Sequence, residues 1–128
     1  MAAALIIDDN TLNLETLRVL LQKEGMDAVT VSSPFNLAQQ VANMPHVEVV
    51  FLDLEFPTHS GLKLVHDLRA LPQLEAVPII AYTVHISEQR EVRDAGFDGF
   101  IGKPLNTQRF PDQLRRILAG ETVWELGQ

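Results

Sequence analysis

At 128 residues, with 46% hydrophobic and 21% charged residues, the chain has the size and composition of one globular domain built on a single packed core. Its formal net charge of −7 argues against sequence-independent binding to nucleic acid, which needs a basic face. Cysteine is absent, which excludes disulfides, thiolate metal sites and cysteine catalysis.

In chain order, the opening MAAALIIDDN holds a short apolar run with no basic segment ahead of it, and two aspartates cut it off. No signal peptide is expected there, no other run is long enough to span a membrane, and a cytoplasmic protein is expected. ALII (4–7) predicts a first strand, and a helix follows from about Asn10 to Glu24 with Leu14, Leu17, Leu20 and Leu21 inward and Gly25 at its end. AVTV (28–31) predicts a second strand. Ser33-Pro34 then reads as a cap residue ahead of proline at the first helical position, opening a helix striped by Leu37, Ala38, Val41 and Ala42. VEVVFL (47–52) is the third strand, and Leu64, Leu68 and Leu71 mark the helix after it. VPIIAY (77–82) is the fourth, followed by a short helix from about Ser87 to Ala95, stopped by Gly96. GFDGFI (96–101) holds the fifth. A last helix from about Thr107 to Leu118 turns Phe110, Leu114, Ile117 and Leu118 inward. A domain over 1–120 and a short tail over 121–128 are the expected organisation.

Repeated strand-then-helix units predict an α/β fold with a parallel sheet, helices on both faces and right-handed crossovers. Continuous apolar runs fit strands buried on both sides. Ligands in such sheets bind beyond the carboxyl ends of the strands, where the strand order reverses. Those ends carry Asp8 and Asp9, Asp53, Thr83 and Lys103, whereas the second strand offers only Ser32 and Ser33 and is expected at an edge. Carboxylates brought together repel one another unless a hard divalent cation sits among them, and Mg²⁺ favours a few carboxylates with positions left for phosphate oxygens. A lysine opposite would balance the remaining charge and hold a phosphoryl oxygen. A carboxylate so placed can serve as the nucleophile of phosphoryl transfer, giving an aspartyl phosphate. Asp53 ends the buried run VVFL, and such a position is costly for a carboxylate without partners.

The ordered set Asp8-Asp9, Asp53 with Pro57 and Gly61, Thr83, and Lys103-Pro104 resembles the receiver domain of two-component response regulators, over about residues 4 to 118. The resemblance implies a CheY-like, flavodoxin-like (βα)5 fold with a five-stranded sheet of order 2-1-3-4-5. It makes Asp53 the phosphoacceptor, served by a histidine kinase or a histidine phosphotransfer protein. Mg²⁺, or Mn²⁺ in its place, would be held directly by Asp9 and Asp53 and by the backbone carbonyl of Glu55, and through water by Asp8. Lys103 would pair with Asp53 and then with the phosphate, across a cis bond to Pro104. Thr83 would move towards the phosphoryl group, and Phe100 would match the aromatic that turns inward as the threonine moves, changing the surface of the fourth helix, fifth strand and fifth helix for a downstream protein. In that family the positions of Glu55 and His85 flank the route of an attacking water, so the resemblance makes both side chains candidates for tuning hydrolysis.

Two positions depart from the family's habit. Val84 follows the threonine where a small alanine is common, and Ser60 stands where an acid is frequent. The histidines His46, His59, His66 and His85 show no close helical spacing of the kind a zinc site uses. A Mg²⁺-dependent phosphohydrolase with an aspartyl nucleophile is the rival reading, since Glu55 sits two residues after Asp53, where such an enzyme keeps its general acid. A phosphorylation-independent binding module is the other. A stand-alone regulator without an outside substrate is favoured over one domain of a longer chain. Trp124, with Val123 and Leu126, would pack back on the domain, serve a partner or support a homodimer.

Overall fold

The computed structural model describes residues 2–57, 59–84, 87 and 89–125. Strands and helices alternate along it: β1 (Ala3–Ile7), α1 (Thr11–Lys23), β2 (Asp27–Val31), α2 (Leu37–Ala42), β3 (Val49–Leu52), α3 (Gly61–Arg69), β4 (Ile79–Thr83), α4 (Gln89–Asp94), β5 (Gly99–Gly102), α5 (Phe110–Leu118) and β6 (Trp124–Glu125). The strands form one parallel sheet of order β2-β1-β3-β4-β5-β6. This is the flavodoxin-like α/β architecture, extended by a sixth strand. Among the described residues no helix is long and apolar enough to cross a membrane.

Alternation along each strand divides the core into two layers. Leu5 and Ile7 of β1 join one layer with Val41, Leu64, Leu68 and Val92 from α2, α3 and α4. Ala4 and Ile6 join the other with Leu17, Leu21, Leu114 and Ile117 from α1 and α5. With both faces covered, β1 and β3 are apolar at every position, as strands buried on both sides of a parallel sheet are. Register then fixes the site. Ile7 pairs with Leu52, so Asp8 and Asp53 leave adjacent strands side by side. Thr83 pairs with Gly102, so Lys103 emerges next to the end of β4.

Local chemistry moves several boundaries. The second helix does not begin at Pro34. The Phe35 N–H donates to Ser33 Oγ at 3.2 Å, and Asn36 takes a left-handed φ of 53°. This turn, tied by Gln40 Nε2 donating to the Ser33 and Phe35 carbonyls, holds the chain off helical dihedrals until Leu37. Only Leu37 and Val41 of the predicted stripe are buried; Ala38 and Ala42 face solvent, because a helix this short on an edge strand rests on one turn-spaced pair. The last helix starts at Phe110, since Asn106 Oδ1 accepts from the Gln108 and Arg109 N–H groups and holds 107–109 as a turn. Leu118, read as inward, is exposed, lying one residue past Ile117 and around the helix from the buried stripe. Leu71 lies beyond α3, where the chain enters a 3-10 turn at Pro72–Leu74.

Candidate functional site

Asp8 and Asp53 are both buried, whereas Asp9 is exposed at the mouth of the cleft. Each is fixed by the backbone before its side chain acts: the Asp8 N–H donates to the Val31 carbonyl at 3.1 Å and the Asp53 N–H to the Ile7 carbonyl at 2.9 Å. The acid pair does not cap α1. Asn10 does so, its Oδ1 accepting from the Asn13 N–H at 3.0 Å, while Asp8 Oδ1 accepts from the Asn10 N–H at 2.9 Å. Capping by the amide leaves both carboxylates for the cleft.

Lys103 supplies the positive charge. Its backbone N–H donates to the Thr83 carbonyl at 2.8 Å, its bond to Pro104 is cis, and its side chain runs into the cluster. Nζ lies 3.0 Å from Asp8 Oδ2 and 3.5 Å from Asp53 Oδ1. The ammonium is therefore shared, and it sits closer to Asp8 than to Asp53. Asp8 is the more completely enclosed of the two, so it has the greater need of a direct partner. Tyr82, which the sequence did not single out, lies beneath this group: Lys103 Nζ is 4.3 Å from the centre of its ring. Burial, with Asp8 and Asp53 nearby, pushes the Tyr82 hydroxyl well above the usual phenol range. The one sequence signal for Tyr82 is an aromatic preceding a strand-end threonine, where a buried ring needs something for its polar tip.

Burial raises the Asp53 carboxyl from 3.8 to about 6, against the pull of Lys103. The negative charge of Asp8 adds to the rise, and the backbone N–H groups of Glu55 and Leu54 oppose it. One ammonium thus does not neutralise the cluster.

The loop after β3 depends on Gly61. A Cβ there would lie 2.6 Å from Leu54 Cα and 2.7 Å from the Asp53 carbonyl oxygen, so only glycine lets α3 start against the back of the acceptor loop. Ser60 caps that helix, its Oγ accepting from the Leu62 N–H at 3.2 Å, and bridges to Glu55 across the loop. A capping role explains a serine at this position. The Glu55 side chain is exposed. Thr83 ends β4 fully buried, and Val84 after it is 56% exposed on the rim, clear of the core into which Phe100 packs. Phe100 is wholly enclosed and stacks on Trp124. His85 and Leu126 lie outside the described residues. His46 approaches Glu48 at 3.5 Å just ahead of β3, at the opposite ends of the strands from the cleft.

The cleft at the strand ends has a volume of about 960 Å³ and is lined by Asp9, Asp53, Glu55, Tyr82, Val84 and Lys103 among others. One carboxylate oxygen from each of Asp8, Asp9 and Asp53 lies within 4.8 Å of the others. An all-oxygen donor set with surplus negative charge fits a hard divalent cation such as Mg²⁺ rather than a soft one.

A family model for the response regulator receiver domain matches residues 4–115. The polar-differentiation response regulator DivK of Brucella ovis is 26% identical over 118 residues, covering 91% of this chain and 95% of that protein. Stress response regulator protein 1 of Meyerozyma guilliermondii is 34% identical over 106 residues, which are 80% of this chain and 49% of that protein. Among solved structures, the CheY-like receiver domain from Methylobacillus flagellatus is 30% identical, with a TM-score of 0.78 over 91% of this chain and 98% of that one. The chemotaxis protein CheY4 of Vibrio cholerae shares the fold, with a TM-score of 0.81 over 91% of this chain and 98% of that one, at 24% identity. The chain belongs to the response regulator receiver family, the phosphorylation-controlled switches of two-component signalling.

Proposed function

From that membership we propose that Asp53 accepts a phosphoryl group from a histidine kinase or histidine phosphotransfer protein, and that the chain answers by changing the surface it offers a downstream protein in the cytoplasm. The observation that carries this reading is the shared ammonium: Lys103 Nζ stands 3.0 Å from Asp8 and 3.5 Å from Asp53, inside a cluster of three carboxylates that it does not neutralise.

In this reading Asp9 and Asp53 would hold the divalent cation with the Glu55 carbonyl, and Asp8 would hold it through water; once bound, it would neutralise the cluster and the incoming phosphoryl oxygens. The Asp53 carboxylate attacks phosphorus, the bond from phosphorus to the donor's atom breaks, and the donor leaves with that electron pair. Lys103 then balances charge on the new phosphoryl group, which carries more negative charge than the carboxylate it replaces. Asp8 keeps the lysine in the cleft when Asp53 no longer presents a carboxylate to it. Thr83 offers its hydroxyl to a phosphoryl oxygen, drawing the end of β4 and biasing the α4–β5–α5 face. The Glu55 and His85 side chains would tune access of the hydrolytic water.

An exposed Glu55 side chain beside an open cleft disfavours the phosphohydrolase reading, which needs a substrate enclosed against an acid. Incubation with acetyl phosphate and Mg²⁺, followed by intact mass, tests the proposal. One labile phosphoryl adduct is expected, absent with EDTA and absent in Asp53→Asn. Sustained release of many phosphates per chain from a phosphate ester would favour the enzyme.

A further inference from the structure

Lys103 reaches its carboxylate partners only by crossing a strand. The sheet order runs β1-β3-β4-β5, so the end of β4 stands between the strand that carries Lys103 and those that carry Asp53 and Asp8. Alternation places all of these side chains on one face. Ile6, Phe51, Tyr82 and Ile101 belong to the core layer under α1 and α5, and Asp8, Asp53 and Lys103 each come two residues after one of them. Leu52 pairs with Ala81, so Asp53 and Tyr82 stand level on adjacent strands. The side chain that the lysine crosses is therefore Tyr82.

The contact agrees with that placement. Lys103 Nζ lies 4.3 Å from the centre of the Tyr82 ring, 3.0 Å from Asp8 Oδ2 and 3.5 Å from Asp53 Oδ1. The Lys103 side chain is 10% exposed and Tyr82 is 3% exposed. The ring thus meets an ammonium that has given up most of its water, the condition in which an aromatic face attracts a cation most strongly. In the sheet Asp8 and Tyr82 flank Asp53, one from β1 and the other from β4. Asp8 alone would draw the ammonium past Asp53, and the ring draws it back. In the proposed reaction Asp53 becomes an acyl phosphate, whereas the ring is unchanged from start to finish.

We propose that Tyr82 is a positioning residue of the phosphoryl-transfer site: its ring face is the seat of the Lys103 ammonium and holds it beside Asp53, against the pull of Asp8, in place for the incoming phosphoryl oxygens. The ring face suffices for this, and the hydroxyl neither gives nor takes a proton. A lysine without the seat divides its time between Asp8 and the cleft mouth, and the fraction poised for transfer falls. The proposal rests on the receiver reading of the cleft.

Phosphorylation by acetyl phosphate in saturating Mg²⁺ is timed by intact mass in the parent, Tyr82→Leu, Tyr82→Phe and Phe110→Leu, with folding checked by circular dichroism. Tyr82→Leu should be slowed roughly tenfold, the ratio a desolvated cation–π contact supports. Tyr82→Phe keeps the ring and should recover most of the rate. Phe110→Leu removes a ring from the same core layer and should slow the reaction far less than Tyr82→Leu does. If Tyr82→Leu fails to fold, Tyr82→Met fills the space with an unbranched chain and carries the same test. The contact also has a spectroscopic signature. In the parent, ring current should move the Lys103 methylene protons beside Nζ upfield of those of the exposed Lys23 and Lys63. Tyr82→Phe should keep that shift and Tyr82→Leu abolish it. Unshifted Lys103 protons in the parent, a Tyr82→Phe chain as slow as Tyr82→Leu, or a Phe110→Leu chain equally slow overturns the proposal. So does a Tyr82→Leu chain phosphorylated as fast as the parent. A parent that takes up no phosphoryl group while its Lys103 protons are shifted overturns the receiver reading instead and leaves the lysine's seat standing.

Discussion

Replacing Asp53 with asparagine should stabilise the metal-free protein at neutral pH. The folded state raises this carboxyl from 3.8 to about 6, chiefly by burial. Between those values the native chain holds a proton that the unfolded chain has released, so stability falls as pH rises through about 4 to 6, and the loss persists above that window. A rise of this size corresponds to roughly 3 kcal/mol. The cleft opens to water, and the substituted amide must still make its own hydrogen bonds, so the net gain expected at pH 7 is about 1–2 kcal/mol. Lys103 keeps its nearer partner, Asp8 at 3.0 Å, and is not orphaned by the change. Urea unfolding in EDTA at intervals from pH 4 to 7.5 measures the effect. The two chains should be nearly equal at pH 4 and diverge as pH rises, with Asp53→Asn the more stable. A variant less stable than the parent at pH 7, or a difference independent of pH, would refute the electrostatic account of the cleft.

The remaining expectations concern the same cleft. Lys103→Met leaves two buried carboxylates without their cation, so it should cost about 3–5 kcal/mol at pH 7 and less at pH 5, where Asp53 takes up a proton; urea midpoints at both pH values report it. Gly61→Ala puts a Cβ 2.6 Å from Leu54 Cα and should destabilise by about 1–3 kcal/mol while weakening beryllofluoride binding, because the loop that must shift carries Asp53. Mg²⁺ should raise the thermal midpoint, by the equivalent of about 2.7 kcal/mol at a hundredfold excess over its dissociation constant, and Asp9→Asn should lose most of that response; an unchanged shift would remove Asp9 from the ligand set.

The strand ends were legible because parallel strands buried on both faces spell themselves as unbroken apolar runs, and whatever interrupts such a run has a reason to be there. Asp8, Asp53 and Lys103 each follow such a run, and register brings them together. What escaped depends on contacts between distant segments. Trp124-Glu125 is too short to read as a strand, and its pairing needs both Gly99 and the Phe100 ring, some 25 residues earlier in the chain. Tyr82 reads as one more core aromatic until Lys103 is seen over its ring. The late start of α2 hangs on a left-handed Asn36, a conformation that asparagine tolerates but does not announce. That the lysine lies nearer Asp8 than Asp53 is a matter of half an ångström, decided by packing rather than by residue type.

The account rests on one carboxylate receiving the phosphoryl group. After incubation with acetyl phosphate and Mg²⁺, the chain should be reduced with borohydride, which converts an aspartyl phosphate to homoserine, then digested and mapped by mass. Homoserine at position 53, and not at positions 8 or 9, is the predicted result. An unmodified position 53, in a chain that remains folded and binds Mg²⁺, would contradict it.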